Sequence, residues 1–295
     1  MIDSFLKYIR FEKRYSRYTL TSYENDLTQF SDYLHTTYQL NKPEEANYGI
    51  IRSWILSLME QNLSPKSVNR KIASLRSYYK YLLRTGIVSK DPTLKLVAPK
   101  IKKALPVFID VNDMNVLLEE KSFSDDFQGL RDRLLIELLY GTGIRLSELI
   151  GIKDKDLNLR QSLLKVLGKG NKERIIPINQ TLSDLIHLYK KKREDFGKEM
   201  EDHFIVTDQG KKLYPMFVQR KIKQYLKDTA VDKKSPHVLR HTFATHLLNK
   251  GADLNAIKDL MGHSSLAATQ VYTHNSIEKL KAVFEKAHPK SGTQE

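Results

Sequence analysis

Apolar side chains in the first 97 residues recur at a spacing that predicts helices joined by short turns. In 19–38 they step every three or four positions, as on one face of a helix, and 50–58 repeats this spacing. Ser64-Pro65 supplies a cap and a first-turn residue for a longer helix that stops at Gly86. The pattern therefore predicts a bundle of helices at the N-terminus.

From about residue 107 the pattern predicts a second, mainly helical domain. Apolar spacing indicates helices at 110–120 and 129–140, and the glycine turn at Gly141-Thr-Gly143 leads into another helix. Arg145 and Glu148 lie three positions apart on one face of that helix. The pair is consistent with a phosphate site at a helix start and equally with a buried structural ion pair.

The small β component is predicted in the middle of this domain. Apolar runs at 162–167 and 172–178 flank Gly168-Lys169-Gly170-Asn171, which is typical of a β-hairpin with Lys169 at its tip. A further short strand is predicted at 204–206. A lone lysine at such a tip is most often only solvated.

The helix that begins at Ser235-Pro236 combines a core face with a polar face. Apolar residues at four-residue spacing predict burial of one side, while His237 and Arg240, three apart, share the other. A cation beside an imidazole suits a phosphate. A short helix capped by Asp253 follows and stops at Gly262, directly before His263. A last amphipathic helix is predicted from its apolar residues, Ile277, Leu280, Val283 and Phe284.

The segment 98–106 has two prolines, no acids and no periodicity, which is typical of an interdomain linker. We therefore expect an N-terminal domain at 1–97, a basic linker at 98–106 and a C-terminal domain at 107–295. A basic linker between basic domains could close a C-shaped clamp around a duplex.

Net charge narrows the range of possible functions. The 295 residues contain 49 Lys and Arg against 35 Asp and Glu, a formal charge of +14. A chain this basic favours a polyanionic partner, although some basic proteins are merely charged and soluble. The absence of cysteine excludes disulfides, thiolate metal sites and a cysteine nucleophile. Without an apolar run long enough for a signal peptide or a membrane span, we expect a cytoplasmic, nucleoid-associated protein.

Positive charge is concentrated at 61–105, where eleven Lys or Arg accompany a single acid, Asp91. A helix that tracks DNA phosphates accounts for this imbalance better than a merely solvated helix face. The candidate DNA-binding residues are Lys66, Asn69, Arg70, Lys71, Arg76 and Lys80.

The candidate catalytic groups are cations, neutral donors and one phenol. They are Arg145, Lys169, His237, Arg240, His263 and Tyr272. His237 and His241 have the spacing of two zinc ligands on a helix, but there is no HExxH glutamate and no obvious third ligand, so neither zinc nor another cofactor is expected. The set does allow Tyr272 to attack a phosphodiester, since two arginines could hold the added negative charge and a hairpin lysine could protonate the departing alkoxide.

Several spaced motifs resemble those of the tyrosine recombinases over nearly the whole chain. They are Gly143-Ile-Arg145-Leu-Ser-Glu148-Leu149, Gly168-Lys169-Gly170, His237-Val-Leu-Arg240-His241, Leu260-Met-Gly262-His263 and the nearby Tyr272. Compact length and the closing Ala-His-Pro most resemble the Xer (XerC/XerD) subgroup. The resemblance implies a SAM-like helical core-binding domain followed by a mostly helical catalytic domain.

The resemblance also implies a role for each matching residue. Arg145 and Arg240 would hold the scissile phosphate, and His263 would hydrogen-bond to it. Lys169 would be the general acid towards the 5′-oxygen, and His237 would assist proton transfer. Tyr272 would be the nucleophile that forms a 3′-phosphotyrosyl link, and Glu148 would orient the site.

For the assembly, the resemblance implies a four-subunit synapse on two duplexes that proceeds through a Holliday junction. The C-terminal helix would dock onto a neighbouring protomer, although its periodicity fits packing on its own chain equally well. Chromosome-dimer resolution at a dif-like site, with a second Xer recombinase and an FtsK-type translocase, is the expected setting. A mobile-element integrase, a relaxing topoisomerase and a DNA-binding module that does not cut are the alternatives.

Overall fold

The structure, a computed structural model, describes residues 1–101, 107–119, 122–168, 171–195 and 202–262, together with Lys281, Phe284 and Ala287. The chain divides into two compact units, Met1–Ala104 and Leu105–Glu295. The linker bounds and the C-shaped clamp expected from the sequence stay predictions.

In the described residues of the first unit, all regular secondary structure is helical. Its helices are α1 (Ile2–Phe11), α2 (Arg17–Tyr38), α3 (Tyr48–Glu60) and α4 (Pro65–Arg84), with a 3-10 turn at Pro43–Glu45. Ser64 accepts a hydrogen bond from the Ser67 amide at 3.2 Å, so α4 starts at the predicted cap. A core that includes Phe5, Phe30 and Trp54 joins the helices. The predicted helical bundle is confirmed.

The second unit is mainly helical with one small sheet. Its helices are α5 (Val111–Leu118), α6 (Phe127–Thr142), α7 (Leu146–Gly151), α8 (Gln180–Asp195), α9 (Pro215–Tyr225), α10 (Pro236–Asn249) and α11 (Leu254–Met261). The central helix, α6, is buried along almost its whole length and packs against α8 and α10. The predicted fold class, mainly α with a small sheet, is confirmed.

The sheet has three antiparallel strands in the order β1 (Leu157–Asn158), β2 (Leu163–Leu167) and β3 (Glu173–Pro177). The β2–β3 hairpin lies where the sequence predicts it, whereas β1 was not predicted. The strand predicted at 204–206 is wrong: only an isolated bridge forms, between Val206 and Lys212. After the turn at Asp208-Gln209-Gly210 the returning chain enters α9 at Pro215, so only two residues follow Lys212 and no ladder forms.

Two hydrogen bonds attach the segment before α5 to α10. The Ile109 amide donates to Oγ1 of Thr242 at 3.0 Å, and the Ile109 carbonyl lies 3.0 Å from Nε2 of His246. The other ring nitrogen of His246 lies 2.9 Å from the Tyr140 hydroxyl on α6. Burial lowers the pKa of His246, so this link uses the neutral imidazole. The far end of α10 is thereby fixed to α6 and to the start of the unit.

None of the helices in the described part of the chain has the length and apolar character needed to cross a membrane.

Candidate active site

The turn between α6 and α7 presents Arg145 beside Glu148. Helix α6 ends at Thr142 and is capped by Gly143, whose φ of 62° is left-handed and therefore suited to glycine. Arg145 caps α7, and its amide donates to Oε2 of Glu148 at 2.7 Å. Its Nη1 also donates to Oε1 at 2.8 Å. The sequence left a phosphate site and an ion pair as alternatives, and the ion pair is present.

Arg240 projects from the second turn of α10 into the same region. It is 7% exposed, and its two Nη groups donate to the carbonyls of Gly143 and Met261. Burial, with the nearby positive charges of Arg145 and Arg174, lowers its pKa to about 10. The guanidinium therefore stays charged at neutral pH. Because these bonds engage two of its five N–H donors, the group is held in place before any ligand arrives.

The end of α11 collects three arginines on three consecutive carbonyls. Leu260 O accepts from Nε of Arg174 at 2.9 Å, Met261 O from Arg240, and Gly262 O from Nη2 of Arg145 at 2.9 Å. The last carbonyls of a helix lack partners within the helix and carry the negative end of its dipole, so cations are favoured there. Gly262 then takes a φ of 61° and ends the helix directly before His263.

Arg174 belongs to this cluster although the sequence analysis did not single it out. Its Nη1 and Nη2 donate to Oε1 and Oε2 of Glu148 at 2.7 and 2.9 Å, a bidentate pair. A signal was available, since β3 buries alternate residues and Arg174 has the inward parity of Ile176. An arginine at an inward position of a strand requires a buried partner.

Glu148 is 4% exposed and is surrounded by guanidinium groups. Burial alone raises the pKa of a carboxyl group, but here the hydrogen bonds and charges of Arg174 and Arg145 outweigh burial and lower the pKa to about 2. The carboxylate therefore stays ionised at neutral pH. The described part of the cluster holds three guanidinium groups, of which two pair with this carboxylate, so positive charge is left to receive a phosphate.

His237 lies in the first turn of α10 and is exposed. It is one helical turn before Arg240, so both side chains project from the same face, as the spacing predicts.

Lys169, His263 and Tyr272 lie outside the described residues, but two of their chain neighbours border the cluster. A Cβ placed on Gly168 would lie 3.4 Å from Oε1 of Glu148, and one on Gly262 would lie 3.1 Å from Nη1 of Arg174. Lys169 follows the first of these glycines and His263 the second. The described residues that directly precede Lys169 and His263 therefore border the arginine cluster.

The arrangement suits phosphoryl-transfer chemistry. Arg145 and Arg240 are fixed by backbone carbonyls and by Glu148, so their remaining N–H groups can bind phosphate oxygens without first being ordered. Within the described ranges, no group of three or more metal-ligating side chains is found.

The predicted DNA-binding face of α4 needs one correction, at Lys71. Its side chain is 4% exposed, and its ammonium donates to Oδ1 of Asp26 at 2.9 Å. Asp26 is itself buried and also accepts hydrogen bonds from Arg70 and Ser74. Because the ammonium lies in the core, we assign Lys71 to the packing of α2 against α4.

The other five candidates on α4 fall into two groups. Asn69 and Arg76 donate to the carbonyls of Pro99 and Leu96, at 2.9 and 2.7 Å, and hold the chain after α4. Lys66 and Lys80 are exposed, and the side chain of Arg70 is 48% exposed even though it pairs with Asp26. Arg76 is exposed as well, so the exposed charge of the predicted face comes from Lys66, Arg70, Arg76 and Lys80.

Two family descriptions cover most of the sequence. Residues 108–279 match the phage integrase family, and residues 2–86 match the phage integrase N-terminal SAM-like domain. The chain belongs to the phage integrase family. The SAM-like domain expected from the resemblance is therefore confirmed.

Similar proteins identify the branch of the family. The chain is 35% identical over 315 residues to tyrosine recombinase XerC of Chlorobaculum parvum, covering 98% of this chain and 94% of that protein. It is 36% identical over 295 residues to tyrosine recombinase XerD of Listeria innocua, covering 99% of each. The resemblance of the sequence motifs to the Xer-type tyrosine recombinases, enzymes of DNA strand cleavage and rejoining, is confirmed.

The fold has solved counterparts as well. A crystal structure of the XerH site-specific recombinase, bound to a palindromic difH substrate in a post-cleavage complex, matches with a TM-score of 0.71. The sequences are 21% identical, and the match covers 95% of this chain and 82% of that one. This likeness shows the fold.

Phe284 is the described member of the predicted C-terminal apolar set. It is 1% exposed, and its ring centroid lies 6.5 Å from that of Phe243 on α10. In this structure it therefore packs on its own chain. This is the arrangement expected if the C-terminal helix does not dock on a neighbour. Ile277, Leu280 and Val283 lie outside the described residues.

Proposed function

We propose that this recombinase cuts and rejoins DNA through a 3′-phosphotyrosyl intermediate and a Holliday junction, and that it resolves chromosome dimers at a dif-like site. The observation that carries the proposal is the fixed cluster of Arg145, Arg240 and Glu148 at the end of α11. Relatives named XerC and XerD, similar over almost their whole length, support the setting.

In the proposed reaction the Tyr272 phenol oxygen attacks the scissile phosphorus, and the bond to the 5′-oxygen breaks. Arg145 and Arg240 hold the two non-bridging oxygens, and His263 adds a hydrogen bond. Lys169 gives its proton to the departing 5′-oxygen, while His237 assists proton transfer at the phenol. Arginines in fixed positions stabilise the added charge of the transition state without a need to reorganise.

Rejoining is the same reaction in reverse. A 5′-hydroxyl from the other duplex attacks the phosphotyrosine, the Tyr272 oxygen leaves and recovers a proton, and a new phosphodiester forms. One phosphodiester is consumed and one is made, so the exchange requires neither ATP nor a cofactor. Exchange of one pair of strands produces the Holliday junction, and exchange of the second pair resolves it.

For the assembly we propose double-stranded DNA as the partner and a synapse of four subunits, formed with further copies or with a second Xer recombinase. An FtsK-type translocase is proposed as a further partner. In this synapse the C-terminal helix would dock onto a neighbouring protomer, in which case Phe284 would leave the contact with Phe243 that it makes within its own chain.

Sequencing the DNA attached to trapped Tyr272 tests the proposed target. Covalent complexes would be captured from cells that express the recombinase, and the DNA on the tyrosine-containing peptide would be sequenced. We expect one chromosomal locus to dominate. Recovery of many unrelated loci, or of loci confined to a mobile element, would rule out a dif-like target.

A further inference from the structure

Arg174 contacts Glu148 and the end of α11 and lies near the base of the hairpin. It forms the bidentate pair with Glu148, donates to the carbonyl of Leu260, and its side chain fills the space where Gly262 lacks a Cβ. Its Nη1 would also lie 3.6 Å from a Cβ on Gly168, at the base of the hairpin. No other strand residue in the described part of the chain donates to both Glu148 and α11.

The contacts of Glu148 show why this position matters. Each carboxylate oxygen accepts one hydrogen bond from Arg145 and one from Arg174. Four acceptor sites are about what a carboxylate offers, so the group is saturated. Its orientation is therefore set jointly by the two arginines. If Arg174 were absent, Glu148 would keep only its hydrogen bonds to Arg145, the residue that it orients.

The same side chain also holds the backbone at the end of α11. Through Leu260 O it holds the last turn of α11, whose next two carbonyls hold Arg240 and Arg145. A change at Arg174 would therefore reach both phosphate-binding arginines, although Arg174 itself is 6% exposed and faces inward.

We propose that Arg174 is a positioning residue of the recombinase: it orients Glu148 and the end of α11, and thereby sets the geometry in which Arg145 and Arg240 meet the phosphate. The inference rests on the proposed function in that it takes these two arginines as the phosphate ligands. The alternative is that Arg174 only stabilises the fold, as any buried ion pair could.

Single-turnover cleavage of a nicked duplex carrying the recognised site separates these two possibilities. Arg174→Lys and Arg174→Gln would be compared with the native chain at saturating protein, with DNA affinity and thermal unfolding measured in parallel. We expect affinity to stay within about 3-fold and the cleavage rate to fall about 10- to 100-fold, since a small misplacement of a reacting group can cost about 100-fold. Lys cannot form the bidentate pair, so it should restore little of the rate.

Arg193→Lys is the matched control. Arg193 lies on α8, is also largely buried and pairs with Asp154 at 2.6 Å, but its other hydrogen bonds go to the carbonyls of His203 and Phe204 and not to the cluster. We expect its cleavage rate to stay near that of the native chain even where its thermal stability falls. If Arg174→Lys cleaves at the native rate, or if cleavage falls only in proportion to stability in both variants, the positioning role is wrong.

A double-mutant cycle gives a second readout in case Arg174→Gln folds poorly. If Arg174 acts largely through Glu148, the pair Glu148→Gln with Arg174→Lys should lose at least about 10-fold less than the product of the two single losses, because residues in contact are not additive. Fully multiplicative losses would show that Arg174 does not act through Glu148 and would overturn that part of the proposal. A native chain that yields no covalent adduct would instead refute the proposed function, so the two failures are distinguishable.

Discussion

Glu148 shows at the scale of one residue how the sequence encodes this site. The spacing Arg145-x-x-Glu148 predicts a pair on one helical face, and that pair is present at 2.8 Å. The second partner, Arg174, lies 26 positions further along the chain, and its approach depends on how the hairpin packs against α7. Local spacing reveals the first contact, whereas the second requires the tertiary fold.

We expect Glu148→Gln to destabilise the chain in a way that depends on pH. The folded-state pKa of about 2 lies below the ordinary value of 4.5, so the carboxylate stabilises the folded state above pH 4.5, and this contribution is lost as the pH falls towards 2. A shift of this size corresponds to about 3 kcal/mol at neutral pH. Urea unfolding of both chains between pH 3 and pH 7 measures it.

The difference in the free energy of unfolding between the native chain and Glu148→Gln should be largest above pH 5 and should narrow by pH 3. His246 contacts Tyr140 and Ile109 and not Glu148, so we expect its contribution to cancel in this difference. A difference that stays constant over this range would mean that the guanidinium groups do not lower the pKa of Glu148.

At the scale of elements, the turn between α6 and α7 controls how closely α10 approaches. Gly143 has a φ of 62°, and a Cβ there would lie 2.4 Å from Cδ1 of Phe243 and 3.1 Å from Sδ of Met261. The sequence predicts a glycine turn at 141–143. It does not show that Gly141 remains inside α6, or that Gly143 is needed for contact with α10, because both facts depend on packing.

Gly143→Ala should reduce the free energy of unfolding by about 2–4 kcal/mol, through overpacking against Phe243 and the left-handed backbone. Gly251→Ala is the control, since its φ of 82° is also left-handed but a Cβ there meets nothing within 4 Å. The control should lose about 1 kcal/mol. Equal losses in urea unfolding would contradict the close packing of α10 on this turn.

Helix α4 shows what charge counting can and cannot predict. Its bounds, its cap and its excess of cations follow from the sequence, and the helix is observed at Pro65–Arg84. The sequence does not show which of these cations are buried, because that depends on where Asp26 lies on α2. Lys71 falls on the buried side of the helix, and Lys66 and Lys80 fall on the exposed side.

Alanine at Lys71 and at Lys80 should therefore produce different defects. Lys71→Ala should cost about 2 kcal/mol of unfolding free energy, because Asp26 loses a buried partner but keeps Arg70 and Ser74. Lys80→Ala should leave stability within about 0.5 kcal/mol and lower the slope of log affinity against log salt by about one.

Fluorescence anisotropy with a labelled duplex at several salt concentrations, together with urea unfolding, checks both variants. A Lys71→Ala chain of native stability with a reduced salt slope would return Lys71 to the DNA-binding face. A Lys80→Ala chain with an unchanged slope would remove Lys80 from it.

At the scale of the whole molecule, two units with separate cores carry the excess positive charge. Fold class and the position of the hairpin could be predicted because they depend on local periodicity and turn residues. The clamp around DNA and the docking of the C-terminal helix depend on partners that the sequence of one chain does not contain. Phe284 illustrates this, since the spacing of the C-terminal apolar residues fits packing on the same chain and docking on a neighbour equally well.

In the proposed reaction this arginine cluster serves a phosphoryl transfer to Tyr272. Incubation with a nicked duplex that carries the recognised site and loses its 5′-hydroxyl fragment on cleavage is the decisive test. The native chain should give a protein–DNA adduct that persists on a denaturing gel, and Tyr272→Phe should give none. An absence of adduct with the native chain, or an adduct with Tyr272→Phe, would contradict the account.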